Sequence, residues 1–171
     1  NKEKKKVITY NTEIVPTSPE SMNLIMDLME EYRSVVNEAS KLQFSDLKGL
    51  SNIKALHNKF YYPARDKFPE VPSQVIIKAE QESLASYKSI KSNKHKITSP
   101  FVKKNLSLRL DKRLYSHVKG ESAKIRITTK EKKKEFQIKL YPRLEQLMNK
   151  HQFVDPLIYV KDSKLMISLS F

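Results

Sequence analysis

The side chains of this chain that could do chemistry are mostly cations. Between Lys88 and Lys134, sixteen Lys and Arg face only Asp111, Glu121 and Glu131, so this stretch carries a net +13 of the chain's formal +14. Like charge at that density repels itself and persists where a polyanion neutralises it, which makes nucleic acid the leading partner. A solvated face is the commoner fate of a charge run. Here the basic residues alternate with apolar ones, which argues against a disordered tail. Other chemistries lack their residues. His57, His95, His117 and His151 share no i,i+4 or H-x-H spacing, so zinc finds no scaffold and each reads as a surface or nucleic-acid-contacting residue. A Ser-His-Asp triad assembles from distant positions and stays open on residue types alone, but nothing resembles a nucleophile elbow. Metal-dependent nucleases need several carboxylates converging on divalent ions, and the basic stretch has three. The expectation is binding without cutting: no catalytic residue, no metal and no cofactor in this chain.

The elements that must position these cations follow from hydrophobic period. Residues 7–15 are β-rich and end at Pro16, which reads as one strand. Thr17, Pro19 and Glu20 look like a capping box opening a helix, along which Met22, Ile25, Met26, Met29, Tyr32 and Val36 recur at spacings of three and four. That Met-rich stripe reads first as core, with an adaptable binding groove as the alternative. A second helix is expected from near Ser51 to Phe68, with Pro63 a point at which it can split. Phe68 to Ser73 is a proline-stiffened turn. Ser73 then caps a third helix through Val75, Ile76, Ala79, Ser83, Tyr87 and Ile90.

After Ser99-Pro100 the period becomes two. Leu106, Leu108 and Leu110, then Ile125 and Ile127, then Phe136, Ile138 and Leu140 alternate with polar residues. Arg109, Lys124, Arg126 and Lys139 thereby fall on the polar faces of strands and can present a basic surface over an apolar core. Lys88, Lys103, Lys104 and Arg113 are further nucleic-acid-binding candidates from the same stretch. A helix over 143–150 precedes a hairpin turning at Lys161-Asp162-Ser163-Lys164. The order of one strand, three helices and then several strands predicts an α+β fold. It fits a small OB-like β-barrel (1–16 and 99–171) with a helical domain (17–98) inserted after the first strand, barrel closure protecting the sheet edges.

Composition agrees with a packed protein. The 171 residues are 39% hydrophobic and 9% aromatic, enough to bury a core in one domain or two small lobes. The absence of Cys excludes disulfides and thiolate metal sites and suits a reducing cytoplasm. No apolar run approaches the length of a membrane span, and neither a span nor a signal peptide is expected. Gly49 and Gly120 are too few for a phosphate-cradling loop. Asn1 at the start, and an apolar alternating strand running to Phe171, give the expectation of a piece cut from something longer.

Leu56-His57, Tyr62 and Arg65, the run from Phe68 to Val75, Ser86 to Ser89, Ser99 to Lys104 and Leu108 to Arg113 form a collinear set of short motifs. In order and spacing they resemble the N-terminal half of TnpB proteins, the RNA-guided nucleases of insertion sequences related to type V CRISPR effectors, and the opening strand with a helix bearing Arg33 and Asn37 is similar to that family's start. The motifs are short, so their collinear order carries the weight. The resemblance implies a wedge domain of oligonucleotide-binding type interrupted by a helical recognition domain. Guide RNA and target DNA would be the partners. The RuvC-like nuclease domain, with its magnesium and first catalytic Asp, would lie beyond Phe171. Ser73, Gln74 and Lys78 fall at the start of the third helix, where free backbone N–H groups favour phosphate and Gln74 can grip an adenine edge. The resemblance places target-adjacent motif contacts on the matching helix; the alternative is that Ser73 simply caps it. Two other classes fit the same residues: a stand-alone DNA-binding regulator derived from a transposon protein, and a structural RNA-binding protein.

Overall fold

The computed structural model describes residues 6–118 and 120–171; residues 1–5 of the expected first segment and Lys119 of the basic stretch lie outside them. The fold is α+β. Its described elements are β1 (Thr9–Pro16), α1 (Pro19–Ser45), α2 (Ile53–Lys67), α3 (Ser73–Ser92), β2 (Ser107–Arg109), β3 (Tyr115–His117), β4 (Lys124–Thr128), β5 (Lys133–Ile138), α4 (Pro142–Lys150), β6 (Leu157–Lys161) and β7 (Lys164–Ser170). The chain divides into two compact units, one of residues 1–24, 107–128 and 132–171, the other of residues 25–106 and 129–131.

The first unit is a seven-stranded antiparallel sheet in the order β2-β6-β7-β1-β5-β4-β3. β1 steps between neighbours: Thr9 to Glu13 pair with β7, and Ile14 to Pro16 pair with β5. Alternation decides the faces. Ile125 and Ile127 on β4 and Phe136 and Ile138 on β5 are buried, with Leu165, Ile167 and Leu169 on β7 and Ile158 on β6. Each such side chain contributes about 1.5–3 kcal/mol by leaving water. α4 starts with Pro142 at its first position and buries Leu144, Leu147 and Met148, spaced to share one helical face. The β6–β7 turn has positive φ at Asp162 and Ser163 with Lys161 opposite Lys164, the geometry of a two-residue hairpin loop.

Closure into a barrel was expected; among the described residues the sheet is open, because no ladder joins β2 to β3. Each end strand is only three residues long, so the edges are protected by brevity instead. β3 itself is unannounced by alternation, since Tyr115 and His117 are polar-tipped.

The second unit is helical. Ile25, Leu28, Met29, Tyr32, Val35, Val36 and Ala39 line the buried face of α1, so the Met stripe is core at Met29 and only half-buried at Met22 and Met26. The start of α1 differs from the capping box: Pro19 occupies the first helical position, so Ser18 is the cap. Its Oγ accepts the Ser21 N–H at 3.2 Å, while Thr17 donates to the Glu135 carbonyl. α2 is capped by Asn52 and runs unbroken through Pro63. α3 ends in a Schellman-type turn with Lys94 at φ 58°, the Lys94 and His95 N–H groups reaching the Lys91 and Ile90 carbonyls.

The segment after Pro100, expected to start the second part of the barrel, belongs to the helical unit. Arg33, Asn37 and Ser40, at i, i+4 and i+7 on α1, explain why. The Asn37 amide accepts from Lys103 N at 2.7 Å and donates to Lys103 O at 3.3 Å, Arg33 donates to Lys104 O, and Ser40 donates to Phe101 O at 2.6 Å. The buried Tyr87 hydroxyl donates to the Ser40 carbonyl and accepts from Phe101 N.

Candidate nucleic-acid interface

The register of β4 and β5 decides how much of the expected basic face is open. Lys124, Arg126 and Thr128 project from the face opposite Ile125 and Ile127, and their partners on β5 are Gln137, Glu135 and Lys133. Arg126 is thus set across from Glu135 and bonds it at 3.2 Å, Lys124 meets Glu121 at 3.3 Å, and Lys139 meets Glu13 at 2.6 Å. The hydrogen bond from the Lys139 ammonium holds the Glu13 carboxyl below its ordinary value. Arg109 is exposed and donates to the Asp155 carbonyl at 2.8 Å. Arg113 is exposed in a turn whose backbone N–H is taken by the Asp111 carboxylate. Three cations of this sheet therefore carry a local counter-charge. Glu13 and Glu135 lie outside the window from Lys88 to Lys134, and only the strand register brings them in.

In the helical unit, Lys103 does not reach the surface. Its side chain is 4% exposed, with Nζ 2.9 Å from Glu82 and 5.7 Å from the centre of the Tyr32 ring. A phosphate-binding role for its ammonium is corrected to an internal one. Membership of the basic stretch misleads here, because the Asn37 amide holds the Lys103 backbone against α1 and the side chain is buried. Lys104 is exposed. At the start of α3, Pro72 rather than Ser73 is the N-cap and no side chain caps the helix: Pro72 O itself accepts from Val75 N at 2.9 Å. Ser73 is exposed at the first helical position, and Gln74 and Lys78, one turn apart, are half-buried with Gln74 already engaged. Fourteen residues at about 1.5 Å each separate Gln74 from Lys88, so these candidates sit at opposite ends of one helix. His57 is also not a free surface residue. Its Nδ1 lies 2.9 Å from the fully buried Glu80, whose carboxyl burial pushes up against the opposing bond from His57.

A cluster of cations without carboxylate partners lies elsewhere. Leu84, Lys88 and Lys91, at i, i+4 and i+7 of α3, line a groove of about 720 Å³ together with Leu47, Lys48, Tyr87, His95 and Ile97. Lys48, Lys88 and Lys91 are exposed, and no ion pair or hydrogen bond engages their ammonium groups among the described residues. Lys94 and Lys96, also exposed, continue the run. The negative end of the α3 dipole favours cations there, which lets the cluster form without carboxylate partners. Lys48, 40 positions before Lys88, was not found by reading charge along the chain, because only folding brings the turn after α1 to α3.

Among the described residues, no three His, Asp or Glu side chains are grouped as metal ligands, and no helix is long and apolar enough to cross a membrane. No protein-family model matches the chain, and no curated protein matches it in sequence.

Proposed function

We propose that this chain is the nucleic-acid-binding N-terminal region of a TnpB-like RNA-guided DNA endonuclease. On this reading it binds guide RNA and reads the target-adjacent DNA motif, with the nuclease domain and its magnesium lying outside this chain. The sheet unit is then the wedge, an OB-like sheet, and the helical unit the recognition domain. The observation that carries the reading is the groove at the end of α3, where three exposed lysines lack carboxylate partners beside an apolar floor. Long-range attraction to phosphate works best where no internal anion has already neutralised the cation. The collinear motifs support the family, and the strand followed by three helices and then six strands supports its domain order.

The test is the salt dependence of binding to RNA and to duplex DNA. Replacing Lys48, Lys88 and Lys91 together by Gln should flatten the slope of log K against log salt by about 0.7 to 0.9 for each phosphate that the variant no longer neutralises. Arg126→Gln, which removes a cation already paired with Glu135, should change the slope little. The opposite ranking would move the interface to the sheet. No measurable binding to any nucleic acid would overturn the reading.

A further inference from the structure

The core face of the sheet changes character at its last strand. Tyr115 and His117 pair with Ile127 and Ile125, so they share the face that carries purely apolar side chains, Ile125, Ile127, Phe136 and Ile138, on β4 and β5. At β3 that face meets a cavity of about 610 Å³, walled on its other side by residues 148–153, the end of α4 and the segment after it. A volume of this size suits a small-molecule-sized group. The wall is aromatic and organised: Tyr115 stacks on Phe153 with centroids 5.4 Å apart and planes at 22°, and His117 tilts against the same ring at 5.6 Å. Both rings of β3 are held. The Tyr115 hydroxyl donates to the Phe153 carbonyl at 3.1 Å, and His117 Nε2 lies 3.3 Å from the Ser122 carbonyl.

Apart from Met148, the remaining lining is hydrogen-bonding: Asn149, Lys150, His151 and Gln152, with no carboxylate among the lining residues. A fold that needed only a core here would fill the space with aliphatic side chains. An occupant matched to this wall has a flat aromatic face, a hydrogen-bonding edge and a negative charge nearby. That combination describes a nucleotide whose base has left its stack, since unpaired bases bind by stacking on aromatic side chains and by edge hydrogen bonds.

We propose that this cavity is a pocket for a single unpaired nucleobase of a bound strand, with the half-buried His117 ring as stacking surface backed by the buried Phe153, Asn149 and Gln152 at the base edge and Lys150 at the adjoining phosphate. The proposal rests on the nucleic-acid-binding reading above and deepens it by naming a second, sequence-tolerant contact.

The probe is a short oligonucleotide carrying one 2-aminopurine, whose fluorescence is quenched on stacking, prepared as single-stranded RNA, single-stranded DNA and a blunt duplex of equal length. The unaltered chain should quench the probe in a single strand and not in the duplex. His117→Ala should abolish the quenching and weaken single-strand binding about tenfold, leaving duplex affinity and its salt slope unchanged. Gln152→Ala, at an exposed position outside the ring stack, should give a smaller loss in the same direction and guards against a folding defect in the first variant. Quenching by RNA alone, DNA alone or both identifies the strand and supports the pocket in each case. If the protein binds nucleic acid but His117→Ala and Gln152→Ala keep full single-strand affinity and quenching, the pocket is refuted while the proposed function stands. If the unaltered chain binds no nucleic acid, both fall.

Discussion

Lys103→Met separates a cation that holds the fold from one that holds a ligand. The substitution keeps most of the apolar stem that a buried Lys contributes and removes the ammonium. With the ammonium go a 2.9 Å charge-assisted bond to Glu82 and the cation–π interaction with Tyr32. A hydrogen bond to a charged group is worth about 1.5–3 kcal/mol, and a cation–π interaction adds about 0.5–2 kcal/mol. Against this, Met needs no desolvation, and Glu82, 32% exposed, can turn one oxygen to water once unpaired. Its other oxygen is buried without a hydrogen-bond partner, which limits that relief. The balance is a loss of about 2 kcal/mol, which for a chain of this length lowers the melting temperature by about 4–8 °C. Circular dichroism melts measure it. Adding Glu82→Met to the variant should cost little more, since the pair has already been broken. The slope of log K against log salt for nucleic-acid binding should match that of the unaltered protein. Unchanged melting with a slope reduced by about 0.9 would refute the argument, because it would mean that the ammonium faces phosphate.

Three further outcomes follow from the geometry. Asn37→Ala removes both bonds to the Lys103 backbone and leaves a part-buried N–H unpaired, so urea unfolding should show a loss of about 2–3 kcal/mol. Lys94→Gly relieves a left-handed residue at the end of α3 and should stabilise the protein by about 1 kcal/mol in thermal melts; a loss would show that the Lys94 side chain supports the turn. Burial raises the Glu80 carboxyl above 4.5, so the folded state holds that proton more tightly than the unfolded chain, and this contribution to stability is full below 4.5 and is lost as pH climbs through the raised value. Glu80→Gln should therefore gain stability relative to the unaltered protein as pH is raised from 4.5, read as the difference in urea midpoints; a difference that shrinks with rising pH contradicts the raised carboxyl.

How much of this was legible in the sequence depends on the range of the interaction. Period and punctuation are local, and they located β1, the three long helices, β4, β5, α4 and the β6–β7 hairpin within a few residues. What they missed is partly long-range and partly local. Asn37 and Ser40 read as ordinary polar positions on a helix, yet their hydrogen bonds capture residues 101–103 and assign that stretch to the helical unit. Thr17 had the right chemistry for a cap, but Pro19 at the first helical position moved the cap to Ser18. β3 escaped notice because its core-facing positions are the half-buried Tyr115 and His117, whose polar tips break the apolar alternation.

The basic stretch makes the same point about the candidate interface. Counting charge along the chain treats each cation as free to meet a ligand, but a strand places every outward residue beside a partner fixed by register. Once Lys124 is opposite Gln137, Arg126 must be opposite Glu135, and a residue nine positions away cancels a charge that the count left standing. Helices and turns impose no such cross-strand pairing. On α3 the i, i+4, i+7 spacing gathers Leu84, Lys88 and Lys91 on one face, and the turn after α1 supplies Lys48 rather than a carboxylate. Part of the excess charge that first suggested a polyanion thus gathers, without carboxylate partners, beside the end of one helix. A uniform basic surface would attract any phosphate backbone equally. On the proposed reading, β3's aromatic cavity and the uncompensated groove on the helical unit have different tasks, the groove meeting phosphate charge and the cavity one unpaired nucleotide.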